Sequence, residues 1–176
     1  MIRPVRAADA AAICGIYNHY VLHTVVSFEE EAPAPEEIGR RIGKVMAAAL
    51  PWLVLEEEGE LLGYAYATPW KERSGYRYAV ESSVYLEASA GGQGRGARLY
   101  AELLAELRSR PLRTVIGGIA LPNEASVGLH EKLGFRKVAH FERVGWKCGR
   151  WVDVGYWQLA LAPDDGHPGE SVPIRG

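Results

Sequence analysis

The sequence has little of what several functional classes require. Cysteine is limited to Cys14 and Cys148, far apart and in no CxxC pair, so no disulfide framework or structural zinc site is expected and both thiols should be reduced. Neither sign of charge dominates. With 20 Lys+Arg against 22 Asp+Glu and a formal net charge of −2, the chain is neither a disordered polyelectrolyte nor a basic nucleic-acid binder. Long hydrophobic runs are missing too: the strongest, Met46 to Leu55, is interrupted by Pro51 and falls far short of the ~20 residues that span a bilayer. The N-terminal MIRPVRAAD has no apolar signal core. A cytoplasmic protein with no membrane or nucleic-acid partner is therefore expected, and its ligands must be met at local sites. What remains is a globular composition, 48% hydrophobic and 24% charged over 176 residues, enough for one domain with its own core. That domain is expected over residues 1–162, with 163–176, rich in proline and poor in apolar anchors, as a flexible C-terminal tail.

Periodicity orders the elements. Ile2 to Arg6 reads as a strand, and Asp9 then caps a helical run through Ile13, Ile16, Tyr17 and Tyr20. Pro35-Glu36-Glu37 opens a second helix, with Ile38, Ile42, Val45 and Met46 on one face, ending near Leu50-Pro51. Trp52 to Glu57 and Leu61 to Thr68, split by Glu58-Gly59-Glu60, form a hairpin. After the strand Tyr78 to Leu86 comes a glycine cluster, Gly91 to Gly96, opening a helix whose buried face carries Leu99, Leu103, Leu104 and Leu107. Thr114 to Ile119 is a strand. A short helix runs from Pro122-Asn123-Glu124 to Leu133-Gly134, and strands Arg136 to Gly145 and Trp151 to Leu161 close the domain.

The chemistry concentrates in a few places. Glycines between a strand and a helix let the backbone bend around a ligand, and the free amides of the helix start favour a phosphate. A tight turn alone would not need four glycines in six residues. No GK[ST] follows, so a P-loop is unsupported, and Gly92-x-Gly94-x-x-Ala97 lacks the acidic residue after the next strand that a dinucleotide site wants. Glu81 sits inside the strand YAVESSVYL, where glutamate is depleted, on one face with Ser83 and Tyr85. Facing a cleft it is a candidate general base; facing water it is a solvated or paired surface group. WKERSGYRY sets Lys71, Arg73 and Arg77 among aromatics, which suits a small anion or a solvated loop. His130 could shuttle a proton or be structural, and His19 with His23 has no third ligand nearby in sequence, so no metal is predicted.

These residues resemble the GCN5-related N-acetyltransferase superfamily, in particular its phosphinothricin acetyltransferase branch, which includes enzymes for arsinothricin and methionine sulfoximine. The segments that carry the resemblance are IYNHYVLHTVVSFEE, PWLVLEEEGELLGYAYATPWKERSGYRYAVESSVYL, GIALPNEASVGLHEKLGF and GRWVDVGYWQL. It implies an α+β, three-layer acetyltransferase fold: a mixed, mainly antiparallel central sheet flanked by helices, with acetyl-CoA wedged where two central strands splay. By the same resemblance Val84, Tyr85 and Leu86 pair with the pantetheine arm, while Gly92, Gln93, Gly94, Arg95, Gly96 and Ala97 form the pyrophosphate loop. Asn123 contacts the cofactor near the splay, Glu81 is the base, and His130 falls where many members have a proton-donating tyrosine. Gly91 departs from the Arg or Gln of the superfamily motif, leaving a phosphate contact to be lost or supplied by Arg95 or Arg98. Phe28, Lys71, Arg73 and Tyr76 are the expected substrate-binding residues, for a small acidic amino acid acetylated on its α-amine, with detoxification as the expected role. The alternatives are methionine sulfoximine, methionine sulfone or another small amine, and a non-catalytic nucleotide-binding module. A homodimer is expected from the same branch, with GRWVDVGYWQL offering apolar surface to the partner.

Overall fold

A computed structural model describes residues 1–162, so the expected tail 163–176 lies outside the described residues. The chain begins with β1 (Ile2–Pro4), a 3-10 turn (Ala7–Asp9), α1 (Ala10–His23) and α2 (Pro35–Ala47). The hairpin β2 (Trp52–Glu57) and β3 (Glu60–Pro69) leads through a 3-10 turn at Ser74–Tyr76 to β4 (Ala79–Leu86). Then come α3 (Arg95–Arg108), β5 (Thr114–Leu121), α4 (Glu124–Lys132), β6 (Arg136–Lys147) and β7 (Arg150–Ala160). The strands form one sheet in the order β1-β2-β3-β4-β5-β7-β6. Among the described residues β4–β5 is the only parallel pair.

Local chemistry accounts for the elements. Pro35 stands at the first turn of α2 with Glu36 and Glu37, where a missing N–H is harmless and negative charge meets the positive end of the helix dipole. Glu58 and Gly59 both take positive φ, 53° and 85°, as a tight hairpin between twisted strands requires. Leu99, Leu103, Leu104 and Leu107 of α3 are all buried, the stripe that their spacing predicted. α1 lies on the sheet face that carries Tyr85, with the Tyr17 and Tyr20 rings at 5.4 and 5.2 Å from it. α3 lies on the opposite face, where the Tyr100 hydroxyl meets Ser82 Oγ at 2.7 Å. Helices thus cover both faces of the sheet.

Asp9 corrects the sequence reading of the first helix. It donates no side-chain cap to α1; its carboxylate turns back to accept from the Arg6 backbone N–H at 2.7 Å and from both terminal nitrogens of Arg3, at 2.7 and 2.9 Å. A bidentate guanidinium outcompetes a neutral cap. Arg3 also reaches Glu56 on the neighbouring strand, so β1 is tied to the helix and to β2 by one side chain.

The Arg3 contact holds the Asp9 carboxyl below its usual range against the opposing effect of burial. A depressed folded-state value means that the stabilisation is present above the unfolded pKa of about 3.9 and is lost as pH falls below it. Asp9→Asn is therefore expected to lower Tm near neutral pH and to flatten the acid side of the stability profile. Equal losses of Tm at about pH 7 and about pH 3 would contradict this.

Candidate active site

The β4–β5 pair is short. Its register runs Ala79↔Thr114, Val80↔Val115 and Glu81↔Ile116 and stops there, although β4 continues to Leu86 and β5 to Leu121. Beyond Glu81 the two strands diverge into a fork. Val26, Val84, Gly118, Asn123, Ser126 and His130 are among the residues that line the cleft between them.

Hydrogen-bond alternation decides which backbone groups face that cleft. Trp70 N–H donates to the Ala79 carbonyl and Glu87 N–H to the Leu62 carbonyl, so the odd-numbered residues of β4 spend their polar groups on β3. The even-numbered residues point toward β5. Val84 and the Leu86 N–H are left facing the cleft, while the Leu86 carbonyl accepts from the Tyr20 hydroxyl at 2.7 Å. Tyr85, expected alongside them, also borders the cleft, but its backbone pairs with Tyr64 of β3 and its ring is packed among Tyr17, Tyr20 and Tyr64. By the same alternation Leu161 N–H to the Arg113 carbonyl fixes the register of β5 on β7, so Gly118 and Ala120 turn their backbone groups into the cleft.

At the open end of the fork, Gly92 (φ 82°) and Gly94 (φ 72°) take the left-handed conformation that glycine adopts without strain. Gly94 is the N-cap of α3, and Arg98 N–H is the donor that returns to its carbonyl. The amides of Arg95, Gly96 and Ala97 therefore stand at a helix N-terminus beside the exposed Gln93. Gly96 is buried where α3 meets β4: a Cβ there would stand in ordinary contact, 3.4 Å, with the Leu86 side chain. Gly91 has an ordinary φ of −70°. Arg95 pairs with Glu57 at 2.8 Å, and Arg98, largely exposed, reaches the same carboxylate at 3.2 Å.

Glu81 occupies the last paired position of β4, half-buried, on the face opposite Ser82. Burial pushes its carboxyl above the usual range and the nearby Lys71 ammonium draws it partly back. Across the cleft, β7 brings Tyr156 opposite Gly118, and a Cβ on Gly118 would lie 3.3 Å from both Glu81 Oε1 and the Tyr156 ring. Burial and the Glu81 charge both raise the Tyr156 phenol. Beside them opens a cavity of about 310 Å³ whose lining includes Trp70, Lys71, Ile116, Phe141, Tyr156 and Gln158.

Of the expected substrate residues, Lys71 lies in this lining, with its ammonium 4.5 Å from the Trp70 ring centre. Phe28 belongs to the loop between α1 and α2 and packs on β6, where a Cβ at Gly145 would meet its ring at 2.3 Å. That loop is fastened by the Lys147 ammonium donating to the Ser27 carbonyl and by Tyr17 donating to Glu29 at 2.8 Å. Arg73 and Tyr76 are on or beside the exposed 3-10 turn, outside the cavity lining, and Arg73 has no carboxylate partner among the described residues. Asn123 caps α4, its Oδ1 accepting from Ser126 N–H at 3.1 Å. His130 is buried in the floor of the cleft; its Nδ1–H donates to the Ser126 carbonyl at 2.8 Å and its Nε2 meets the Tyr100 hydroxyl at 3.1 Å. The His19 and His23 rings lie 5.5 Å apart, tilted at 51°, and no cluster of three ligand-type side chains forms among the described residues.

Residues 2–155 match the model of the acetyltransferase (GNAT) domain. The chain belongs to the GNAT acetyltransferase family. It is 42% identical over 157 residues to a phosphinothricin N-acetyltransferase of Streptomyces viridochromogenes, covering 89% of this chain and 85% of that one. It is 39% identical over 170 residues to an L-methionine sulfoximine/L-methionine sulfone acetyltransferase of Salmonella typhimurium, covering 93% and 98%. The crystal structure of a GNAT-superfamily phosphinothricin acetyltransferase from Sinorhizobium meliloti in complex with acetyl-CoA superposes with a TM-score of 0.91 at 33% identity, covering 100% and 98%. As a GNAT acetyltransferase the chain uses acetyl-CoA as its co-substrate, and the forked sheet is the fold of its solved neighbours.

A GNAT enzyme needs a place for the thioester and a group to take the amine's proton. The fork offers unpaired amides for the first and Glu81 a raised carboxylate for the second. Sequence periodicity missed Tyr156, hidden in GRWVDVGYWQL, and the Gly117-Gly118 pair, whose signal was two adjacent glycines inside a strand.

A carboxylate must be ionised to accept a proton, so activity that depends on Glu81 as proton acceptor is lost as pH falls through its pKa. Raised by burial, Glu81 should place the acid limb of kcat/KM above the ordinary glutamate value of about 4.3. Lys71→Met removes the opposing ammonium and is expected to move that limb to still higher pH. Glu81→Gln should reduce turnover at least ~100-fold near neutral pH. A limb that stays in place in Lys71→Met, or turnover within a few-fold of wild type in Glu81→Gln, contradicts the assignment.

Proposed function

We propose that the chain transfers acetyl from acetyl-CoA to the α-amine of a small acidic amino acid of the phosphinothricin type, with Glu81 as base. The observation that carries this reading is the coincidence of Glu81 with the vertex of the fork. There a Cβ on Gly118, which borders the cleft, would lie 3.3 Å from both Glu81 Oε1 and the ring of Tyr156, and Tyr156 lines the cavity at Lys71. The backbone of Val84 and the Leu86 N–H line the pantetheine arm, and the amides around Gly92–Ala97 receive the pyrophosphate. Asn123, at the mouth of α4, borders the acyl end.

The reaction needs no covalent enzyme intermediate. The acceptor's ammonium loses a proton to Glu81, and the amine nitrogen forms a bond to the thioester carbonyl carbon as an amide N–H from β4 receives the developing oxyanion. Collapse breaks the C–S bond and expels coenzyme A as a thiolate, and the second proton on the nitrogen passes to that thiolate or to water as the amide forms. The parent thiol of coenzyme A has a pKa of about 8.5, so departure near neutral pH does not depend on a strong acid.

Lys71, Arg73 and Tyr76 supply cations and a phenol for the acceptor's carboxylate and side-chain anion, and Phe28 walls its apolar stem. Arg73 has no carboxylate partner among the described residues, and its guanidinium can offer a bidentate fork that the Lys71 ammonium cannot. The apolar walls of the cavity, Trp70, Ile116, Phe141 and Tyr156, with the neutral amide of Gln158, favour a second reading: an uncharged polar side chain such as methionine sulfone or sulfoximine. Detoxification of such amino-acid analogues, arsinothricin among them, is the role that follows. A cytoplasmic location goes with acetyl-CoA as donor.

A panel of amino acids assayed with acetyl-CoA and a free-thiol readout separates the two readings. Arg73→Ala is expected to raise the KM of the acidic substrate by about tenfold, from the loss of a charge-assisted fork, and to leave the KM of acetyl-CoA nearly unchanged. If every acidic amino acid is acetylated as well by Arg73→Ala as by wild type, the acidic reading fails.

A homodimer is part of the proposal. Val138, Phe141, Val144, Trp146 and Trp151 are each more than half exposed on the β6–β7 edge, an apolar patch of the kind that marks an interface. Sedimentation at micromolar concentration should give about twice the chain mass of 19.3 kDa; a mass near 19.3 kDa itself would remove the dimer.

A further inference from the structure

The fork has a vertex, and the first unpaired residue on each arm is unusual. On β4 it is Ser82, a hydroxyl only 5% exposed, and on β5 it is Gly117, with no side chain. Both direct their Cα substituents to the face covered by α3 and α4. Between them runs a continuous chain of buried polar atoms. Ser82 Oγ lies 2.7 Å from the Tyr100 hydroxyl of α3, and that hydroxyl lies 3.1 Å from Nε2 of His130 on α4. The imidazole stands where a side chain of residue 117 would be: a Cβ at Gly117 would meet Nε2 at 2.5 Å and Cδ2 at 2.7 Å.

Donor and acceptor roles along the chain follow from its ends. The Ser126 carbonyl can only accept, so Nδ1 carries the imidazole proton. Nε2 of the neutral ring then accepts from the Tyr100 hydroxyl, and Tyr100 accepts from Ser82. Burial, which lowers the His130 pKa, favours this neutral state. The ring is also wedged edge-on against Tyr100 and Phe135, with centroids 5.1 and 5.0 Å away. No proton of His130 faces the cleft, since the one it carries is committed to the helix backbone.

We propose that Ser82, Tyr100 and His130 form a buried strut that sets the opening of the β4–β5 fork, making His130 a positioning residue for the thioester instead of its proton donor. The strut fixes how far Gly117, and with it the Gly118 backbone, stands from Val84. It thereby sets the spacing of the two rims that hold the acyl end. This inference rests on the reading of the fork as the acetyl-CoA cleft.

The test separates shape from proton transfer. Gly117→Ala drives a methyl group into the imidazole, and Tyr100→Phe removes the donor to Nε2. Each is expected to raise the KM of acetyl-CoA about tenfold while the acceptor KM and the alkaline limb of the kcat profile stay in place, the result of a distorted cofactor site with chemistry retained. His130→Phe keeps a ring but has no proton to give. It should behave like Tyr100→Phe and retain more acetyl-CoA affinity than His130→Ala. Loss of the alkaline limb in His130→Phe, or equal damage in His130→Phe and His130→Ala, would restore the proton donor and overturn the strut. Should Gly117→Ala fold poorly, as a lowered Tm will report, Ser82→Ala carries the same expectation for acetyl-CoA, and an unchanged KM there overturns it. Gly94→Val tells this failure from that of the cofactor reading. If Gly94→Val raises the acetyl-CoA KM and the strut variants do not, the strut falls alone. If the strut variants raise it and Gly94→Val does not, the phosphate-loop assignment falls and the strut stands.

Discussion

Two adjacent parallel strands that cease to pair leave a row of backbone donors and acceptors without partners, and a protein interior tolerates such a row only where water or a ligand meets it. In this chain the row begins after Glu81 and Ile116. Everything that the site does follows from that break. The Val84 and Gly118 backbones become the rims of a cleft, the helix α3 that follows β4 brings its N-terminus to the open end, and the last paired residue, a glutamate, is left at the vertex. An extended amide-bearing molecule such as the pantetheine arm of acetyl-CoA answers those groups as a strand would.

The two glycines of β5 divide the labour between the faces of the sheet. Gly117 admits the His130 ring on the side of α3 and α4, and Gly118 leaves the space between Glu81 and Tyr156 on the other. A Cβ at Gly117 would enter the space of the imidazole, and one at Gly118 would press on the Glu81 carboxylate and the Tyr156 ring. On the His130 face the polar groups are satisfied among themselves, Ser82 to Tyr100 to His130 to Ser126. On the Glu81 face the carboxylate is half-buried and raised, with Lys71 opposing. Rigidity on one face and reactivity on the other come from one interrupted strand pair.

Much of this was legible in the sequence, and the misses have physical causes. The leucine stripe of α3 and the Glu58-Gly59 turn are local signals, so they survive into the fold unchanged. Glu81 stood out because a charged residue inside a strand needs a reason. Tyr85 shows the limit: period-two alternation assigns a side chain to a face but says nothing of the in-plane direction of the backbone, which depends on the register with β3. Asp9 looked like a helix cap because Arg3, six residues away, was invisible as its partner. The placement of the His130 proton was equally beyond reach, because it is decided by a carbonyl one helical turn back and by a tyrosine on another helix. Tyr156 joins Glu81 only through the pairing of β5 with β7, a contact between residues 75 positions apart in the chain that no local pattern encodes.

The central claim, that the unpaired arm of β4 receives acetyl-CoA through its backbone, is tested most directly by amide hydrogen exchange at single residues with and without acetyl-CoA. The account predicts that the Val84 and Leu86 amides, open in the free protein, become strongly protected on binding, while Val80, already inside the β4–β5 pair, changes little. Protection that leaves Val84 and Leu86 exchanging as fast with saturating acetyl-CoA as without it would contradict the account.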